Sequence, residues 1–255
     1  MINHDMKIGQ AIIRTMLWLS GAVALALVVA AGYYANEVRA ARGATPSLVS
    51  EAGKRFGAQL KLTDLSKERQ AILLAVEDPA FTRHHGVDLE TSGAGMTTIT
   101  QALVKLIYFP EGFKQGIAKI RQTLIAQYAL DSLLSKNDQM QLFLNICYLG
   151  SKNGQPVHGY AAGAQAYFGK NFAELTDEEF LSLVAMHIAP DSLKPGTPEN
   201  TQRVQRIHAY LSGKYQPASL LDVDYNGKQR GTLAEEALMS FLRLITDARP
   251  GHAGG

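Results

Sequence analysis

Two short segments, Glu77-Asp78-Pro79-Ala80-Phe81-Thr82-Arg83-His84-His85-Gly86-Val87-Asp88 and Gly95-Met96-Thr97-Thr98-Ile99-Thr100-Gln101, carry acids, two histidines, glycines and a hydroxyl run. A helix does not need that composition; a polar cleft does. The segments stand between helix patterns. Upstream, Asp64 or Ser66 can cap a helix that runs to Glu77 or Asp78, where Pro79 ends it. Downstream the pattern resumes through Gln101, Leu103, Val104 and Ile107, until Pro110 and Gly112 interrupt it.

Working outward, residues 117–134 place Ile117, Ile120, Leu124, Tyr128 and Ser132 on one helical face. Ser135 starts a helix that carries Met140, Leu142, Phe143 and Leu144. Residues 150–154 read as a loop and residues 160–167 as a helix rich in small residues. Thr176 and Glu179 form a capping box that opens another helix, running to about Ala189. Pro190, Pro195 and Pro198 mark a loop, and residues 201–212 and 233–245 form the last helices. Strand signals are nearly absent, so the fold class is all-α. A domain is expected over residues 61–212, followed by a C-terminal extension over residues 213–255 whose end, from Arg249, reads as frayed. Leu238, Phe241, Leu242 and Leu244 make the extension's helix apolar, for packing on the domain or for a partner.

Residues 16–34, MLWLSGAVALALVVAAGYY, hold no charge and have the length of a bilayer-spanning helix. Trp18 and the pair Tyr33 and Tyr34 sit near its two ends, where amphipathic rings favour the membrane interface. The alternative is a cleaved signal peptide ending near Val29-Ala30-Ala31, for which the run is long. Lys7 and Arg14 before it, and Arg39 and Arg42 after it, nearly balance and leave orientation open. Residues 35–60 read as a stalk in which Gly43, Pro46 and Gly53 break any long helix.

Composition excludes some classes. The chain has 255 residues and a net charge of +2, so nothing marks a nucleic-acid binder. Its one cysteine, Cys147, permits no intramolecular disulfide. No zinc spacing, phosphate loop or dinucleotide fingerprint is present.

The candidate chemistry lies in the opening segments and just after them. Glu77 and Asp78 put negative charge at a helix C-terminus, where it opposes the helix dipole; such a pair is either a solvated turn or a working carboxylate. His84 and His85 lack a second ligand cluster, so a histidine bracing the acidic turn fits better than a metal half-site. Thr97, Thr98, Thr100 and Gln101 either cap a helix or help hold an anion at its N-terminus. Lys105, Lys114, Lys119 and Arg121 are either a solvated basic face or a phosphate clamp. Lys119 and Arg121, two apart, do not share a helix face.

These motifs resemble the peptidoglycan glycosyltransferase (transglycosylase) domain, found alone and in bifunctional penicillin-binding proteins. The pattern Glu-Asp-x-x-Phe-x-x-His-x-Gly-x-Asp matches at Glu77, Asp78, Phe81, His84, Gly86 and Asp88. A second block matches at Gly95, Thr98, Ile99, Thr100, Gln101, Leu103, Val104 and Lys105, and a third at Ser135, Lys136, Leu144, Asn145, Tyr148 and Gly150. Gly159 and residues 164–170 resemble the next block, and residues 175–190 resemble the family's final helices.

The resemblance implies a lysozyme-like fold behind one N-terminal transmembrane helix. Residues 1–15 would be cytoplasmic and the domain would stand outside the cytoplasmic membrane. It implies lipid II and the nascent glycan strand as partners, with other cell-wall synthesis proteins as further candidates. With no room for a transpeptidase domain, the expectation is the monofunctional form. In the implied reaction an acceptor 4-hydroxyl attacks the donor's anomeric carbon with inversion, and lipid pyrophosphate leaves. Glu77 would take the hydroxyl proton. Lys105, Lys119 and Arg121 would hold the pyrophosphate, with a divalent metal, Mg or Mn, as a further bridge and no protein-built metal site. Asp78, Phe81, His84, Gly86, Thr97, Thr98, Gln101, Thr123 and Asn145 would complete the substrate cleft.

The departures from the family pattern are specific. A family block that precedes the Ser-Lys block, Arg-Lys-x-x-Glu, carries a second glutamate; counting back from Ser135-Lys136 puts Thr123 there. A serine becomes Thr97, a glutamine becomes Ala102, and the stretch between Asp88 and Gly95 is short. A non-catalytic lipid II- or glycan-binding scaffold is therefore the main alternative. A glycan hydrolase is a third, but it lacks a clear second acid. If the scaffold still positions residue 123, Thr123→Glu is expected to raise activity.

Overall fold

The computed structural model describes residues 2–114, 116–228 and 231–250; the last five residues of the expected frayed end lie outside them. The first element, α1 (Ile2–Phe56), is one continuous helix with Pro46 inside it. The expected break at Gly43, Pro46 and Gly53 does not occur. Proline removes one backbone hydrogen bond, but packing holds the helix on both sides: Ala41, Thr45 and Ala52 are buried. Thr45 shares a 2.6 Å hydrogen bond with the Tyr108 hydroxyl, and Arg42 donates to the Tyr128 carbonyl and Ser132 Oγ. Among the described residues, α1 alone is long and apolar enough to cross a membrane, with mean hydropathy 2.0 over its most apolar window.

The domain follows as α2 (Lys67–Glu77), α3 (Ile99–Tyr108), α4 (Ile117–Ile125), a π-helical stretch (Ala126–Leu130) and a short α5 (Asp131–Leu133). Then come α6 (Lys136–Ile146), α7 (Tyr160–Phe168), α8 (Asp177–Ala185), α9 (Pro198–Leu211) and α10 (Leu233–Ile245). Side-chain caps set many of the starts. Ser66, Thr98, Ser135, Thr176, Thr197 and Thr232 each accept from the backbone N–H three residues on. The face through Ile117 and Tyr128 turns outward: both are exposed, while Gln122, Thr123 and Ile125 are buried.

The expected loop at residues 150–154 is instead the tip of a hairpin, β1 (Tyr148–Lys152) paired antiparallel with β2 (Gln155–His158). Asn153 and Gly154 turn it with φ of 52° and 76°, the left-handed pair that a tight hairpin turn requires.

Leu73, Leu103, Leu144, Tyr160, Phe180 and Leu183 belong to the main core. A second, smaller core joins Val87 and Leu89 to Leu220, Leu221, Met239 and Leu242. The C-terminal extension thus packs on the segment that follows the acidic turn, and the Gly93 and Gly95 amides donate to the Ser219 and Leu220 carbonyls.

Candidate active site

Glu77 is the last residue of α2 and lines a cleft of about 660 Å³ with Thr97, Thr98, Lys105, Cys147 and His187. Among the described residues no side chain hydrogen-bonds its carboxylate. Burial pushes its pKa up to about 8, opposed by the Arg203 cation and reinforced by Asp78. Half-buried on the wall of the open cleft, it is favoured in its protonated form near neutral pH.

Asp78 does not face the cleft. It is buried, accepts from His84 Nε2 at 2.9 Å and caps α3 by accepting the Ile99 N–H at 2.9 Å. His84 and Phe81 are buried beside it, with Lys136 Nζ 4.7 Å above the Phe81 ring. Their geometry locks the turn after Glu77 against α3. Gly86 has φ +80° and lies where a Cβ would stand 2.7 Å from the Ala126 carbonyl oxygen of the π-helical stretch. Its own carbonyl accepts from Thr98 Oγ1 at 2.7 Å.

Across the cleft, Lys105 is exposed on its rim. Lys119 is buried and donates to the Met96 carbonyl at 2.7 Å and Thr97 Oγ1 at 3.1 Å. Burial, with repulsion from Lys105 second, lowers its pKa to about 7. Arg121 points the other way, pairing with Glu37 of α1 at 2.6 Å and lying over the Phe109 ring. Asn145 is also committed elsewhere: it accepts the Leu60 N–H and donates to the Leu60 and Gln141 carbonyls, tying the chain beyond α1 to α6.

Thr123 lines neither this cleft nor the groove beside it. It is fully buried; its hydroxyl donates to the Lys119 carbonyl and accepts from Gln101 Nε2. Gln101 closes the capping box of α3, and its carbonyl accepts from Gln122. A carboxylate at 123 enters a sealed polar knot. Thr123→Glu is therefore expected to cost roughly 1–3 kcal/mol, lowering the melting temperature by roughly 3–10 °C, without a gain in turnover. A thermal melt with a turnover assay checks it; unchanged melting with faster turnover would show that the side chain reaches the cleft.

The structure adds residues that the motifs did not single out. Arg203 of α9 is buried, stacks 4.4 Å over Tyr225 and opposes the charge penalty on Glu77. A helical wheel was the available signal, because Arg203 shares a face with Val204 and Ile207. His187 is held neutral by burial, with a pKa of about 3, and hydrogen-bonds the Tyr160 hydroxyl at 2.8 Å. No group of three or more His, Cys, Asp or Glu among the described residues could hold a metal.

A family model described as Transglycosylase matches residues 47–213. The chain is 32% identical to penicillin-binding protein 1A of Vibrio cholerae over 161 residues, covering 58% of this chain and 19% of that protein. It is 31% identical to penicillin-binding protein 1A of Neisseria gonorrhoeae over 200 residues, covering 72% and 24% respectively. With the Escherichia coli K12 protein of that name the figures are 29% over 162 residues, 58% and 18%. The chain thus spans about a fifth of the length of the curated relatives it matches.

Proposed function

Because the chain belongs to the transglycosylase family, we propose that it is a peptidoglycan glycosyltransferase that polymerises lipid II at the outer face of the cytoplasmic membrane, anchored there by α1. The observation that carries this is the pairing of Glu77 and Lys105 across one cleft, with Lys119 held against the Met96–Thr97 wall. The acceptor 4-hydroxyl loses its proton to Glu77 as its oxygen bonds the donor's anomeric carbon, and the bond to the pyrophosphate oxygen breaks with inversion. The leaving pyrophosphate keeps the bonding pair, and Lys105 and Lys119 stabilise its charge. Asp78, Phe81, His84, Gly86 and Thr98 act by holding the turn after Glu77 against α3. Gln101, Thr123 and Asn145 position the helices behind the cleft.

The scaffold reading draws on three observations. Arg121 is paired with Glu37, Thr123 is sealed, and burial raises the pKa of Glu77 well above the usual carboxylate range. Polymerisation of labelled lipid II by the detergent-solubilised protein, with Mg or Mn added or chelated, separates the two. Glycan chains support the enzyme. Retained lipid II without chains under every condition overturns it in favour of the scaffold.

A further inference from the structure

α10 is apolar on two faces, where a surface helix needs one. Met239 and Leu242 are buried in the second core, with Leu238 and Ile245 packed against it. On the other side Leu233, Ala237, Phe241 and Leu244 form a stripe at spacings of four, four and three. Leu233 and Leu244 are 84% and 82% exposed. The whole helix lies beyond residue 213, where the family match ends.

The height of this helix above the membrane follows from its neighbours. Glu37 pairs with Arg121, and further along both chains Arg42 reaches Tyr128 and Ser132. Therefore α1 and α4 run in the same direction. Glu37 stands about 4.5 Å of helical rise beyond Tyr34, the end of the uncharged run, and Ile117 stands about 6 Å back from Arg121. Ile117, 78% exposed, is thus level with Tyr34. Between Ile117 and Ala234 and Leu238 of α10 lies a groove of about 550 Å³, with Phe113, Lys105 and Lys119 also on its walls. That places the first turn of α10 at the same level. The other end of α10 is tied further out, because Asp247 exchanges hydrogen bonds with Gln127, about 9 Å of rise beyond Arg121.

We propose that the first turn of α10, together with Ile117, sits in the headgroup layer of the bilayer, and that the groove behind them opens into that layer. This rests on α1 crossing the membrane. A headgroup layer of roughly 5–8 Å per side takes in Leu233 and Ile117 and leaves Leu244, about 16 Å of helical rise further along α10, outside it. Lys105 and Lys114, both exposed, add the cationic flank that favours phosphate headgroups.

Trp18 is the chain's one tryptophan, so site-directed fluorescence tests this in the full chain. In a Trp18→Phe background, Leu233→Trp and Leu244→Trp are placed separately and reconstituted into phosphatidylethanolamine–phosphatidylglycerol vesicles. The expected result is a blue-shifted Leu233→Trp emission, quenched by shallow brominated lipids and weakly by aqueous iodide, with Leu244→Trp the more open to iodide. Free iodide quenching of Leu233→Trp overturns the proposal. Shielding of that residue from both quenchers overturns it too, in favour of a second copy of the chain. The native Trp18 separates the two readings. If shallow brominated lipids quench it and the Leu233→Trp result is negative, only the placement of α10 fails. If they do not quench it, the membrane reading of α1 fails as well.

Discussion

Glu77→Gln is expected to reduce lipid II polymerisation by about 10²–10⁴-fold while the protein folds as before. The amide keeps the shape of the side chain and cannot accept the hydroxyl proton. The effect on stability has a definite sign. The folded-state pKa of Glu77 is raised from 4.5 to about 8, so between those values the unfolded chain ionises while the folded one holds its proton. That contribution to stability is fully present below pH 4.5 and is lost as pH rises through 8. The Gln variant escapes this loss, so its melting temperature should match the parent at acidic pH and exceed it near pH 9. Melting curves at the two pH values check the sign, and a variant that still polymerises like the parent would remove Glu77 from the chemistry.

Lys119→Met should fall by about 10²–10³-fold in turnover, the cost of removing one preorganised stabiliser of a developing charge. The methionine fills similar space without the charge. Lys119 titrates near 7 in the folded chain against 10.5 unfolded, so below pH 7 the protein bears the full cost of burying an ammonium. That cost fades as pH rises from 7 to 10.5, and the variant should therefore be the more stable at low pH. Arg121→Met, by contrast, removes a cation that faces Glu37, and turnover should stay within about threefold. Equal losses at both positions would show that the cleft rearranges to recruit Arg121. Glu77 is mostly ionised only above about pH 8 and Lys119 mostly protonated only below about pH 7, so the productive pair, Glu77 ionised and Lys119 protonated, is a minority form whose population peaks in the interval between them. A bell-shaped kcat/KM profile centred in that interval is the expected signature. The free site is close to neutral, and an anionic donor pulls Lys119 into its charged form on arrival.

Helix starts were legible because caps are local. Ser66, Thr98 with Gln101, Ser135 and Thr176 with Glu179 satisfy backbone groups within four residues of themselves. In the sequence the hairpin reads as a loop: Asn153-Gly154 is a strong turn signal, but the runs flanking it are too short to read as strands. Pro46 misled because a breaker's effect is local, whereas the contacts that override it come from Tyr108, Tyr128 and Ser132, far along the chain. Spacing alone did put Lys119 and Arg121 on different faces, but only the position of Glu37 shows that Arg121 turns to α1 while Lys119 lines the groove beside the cleft. The sealing of Thr123 and the commitment of Asp78 to Ile99 are tertiary facts with no signature in neighbouring residues.

The unbroken α1 has a mechanical consequence. Only Ala35 and Asn36 separate the uncharged run from Glu37, the first residue tied to the domain, and both are helical. The domain therefore has no swivel. Its azimuth is geared to the membrane segment: one inserted residue there would turn the catalytic face by about 100°, and two by about 200°. Reorienting that face toward a new strand then requires the entire molecule to spin about the bilayer normal.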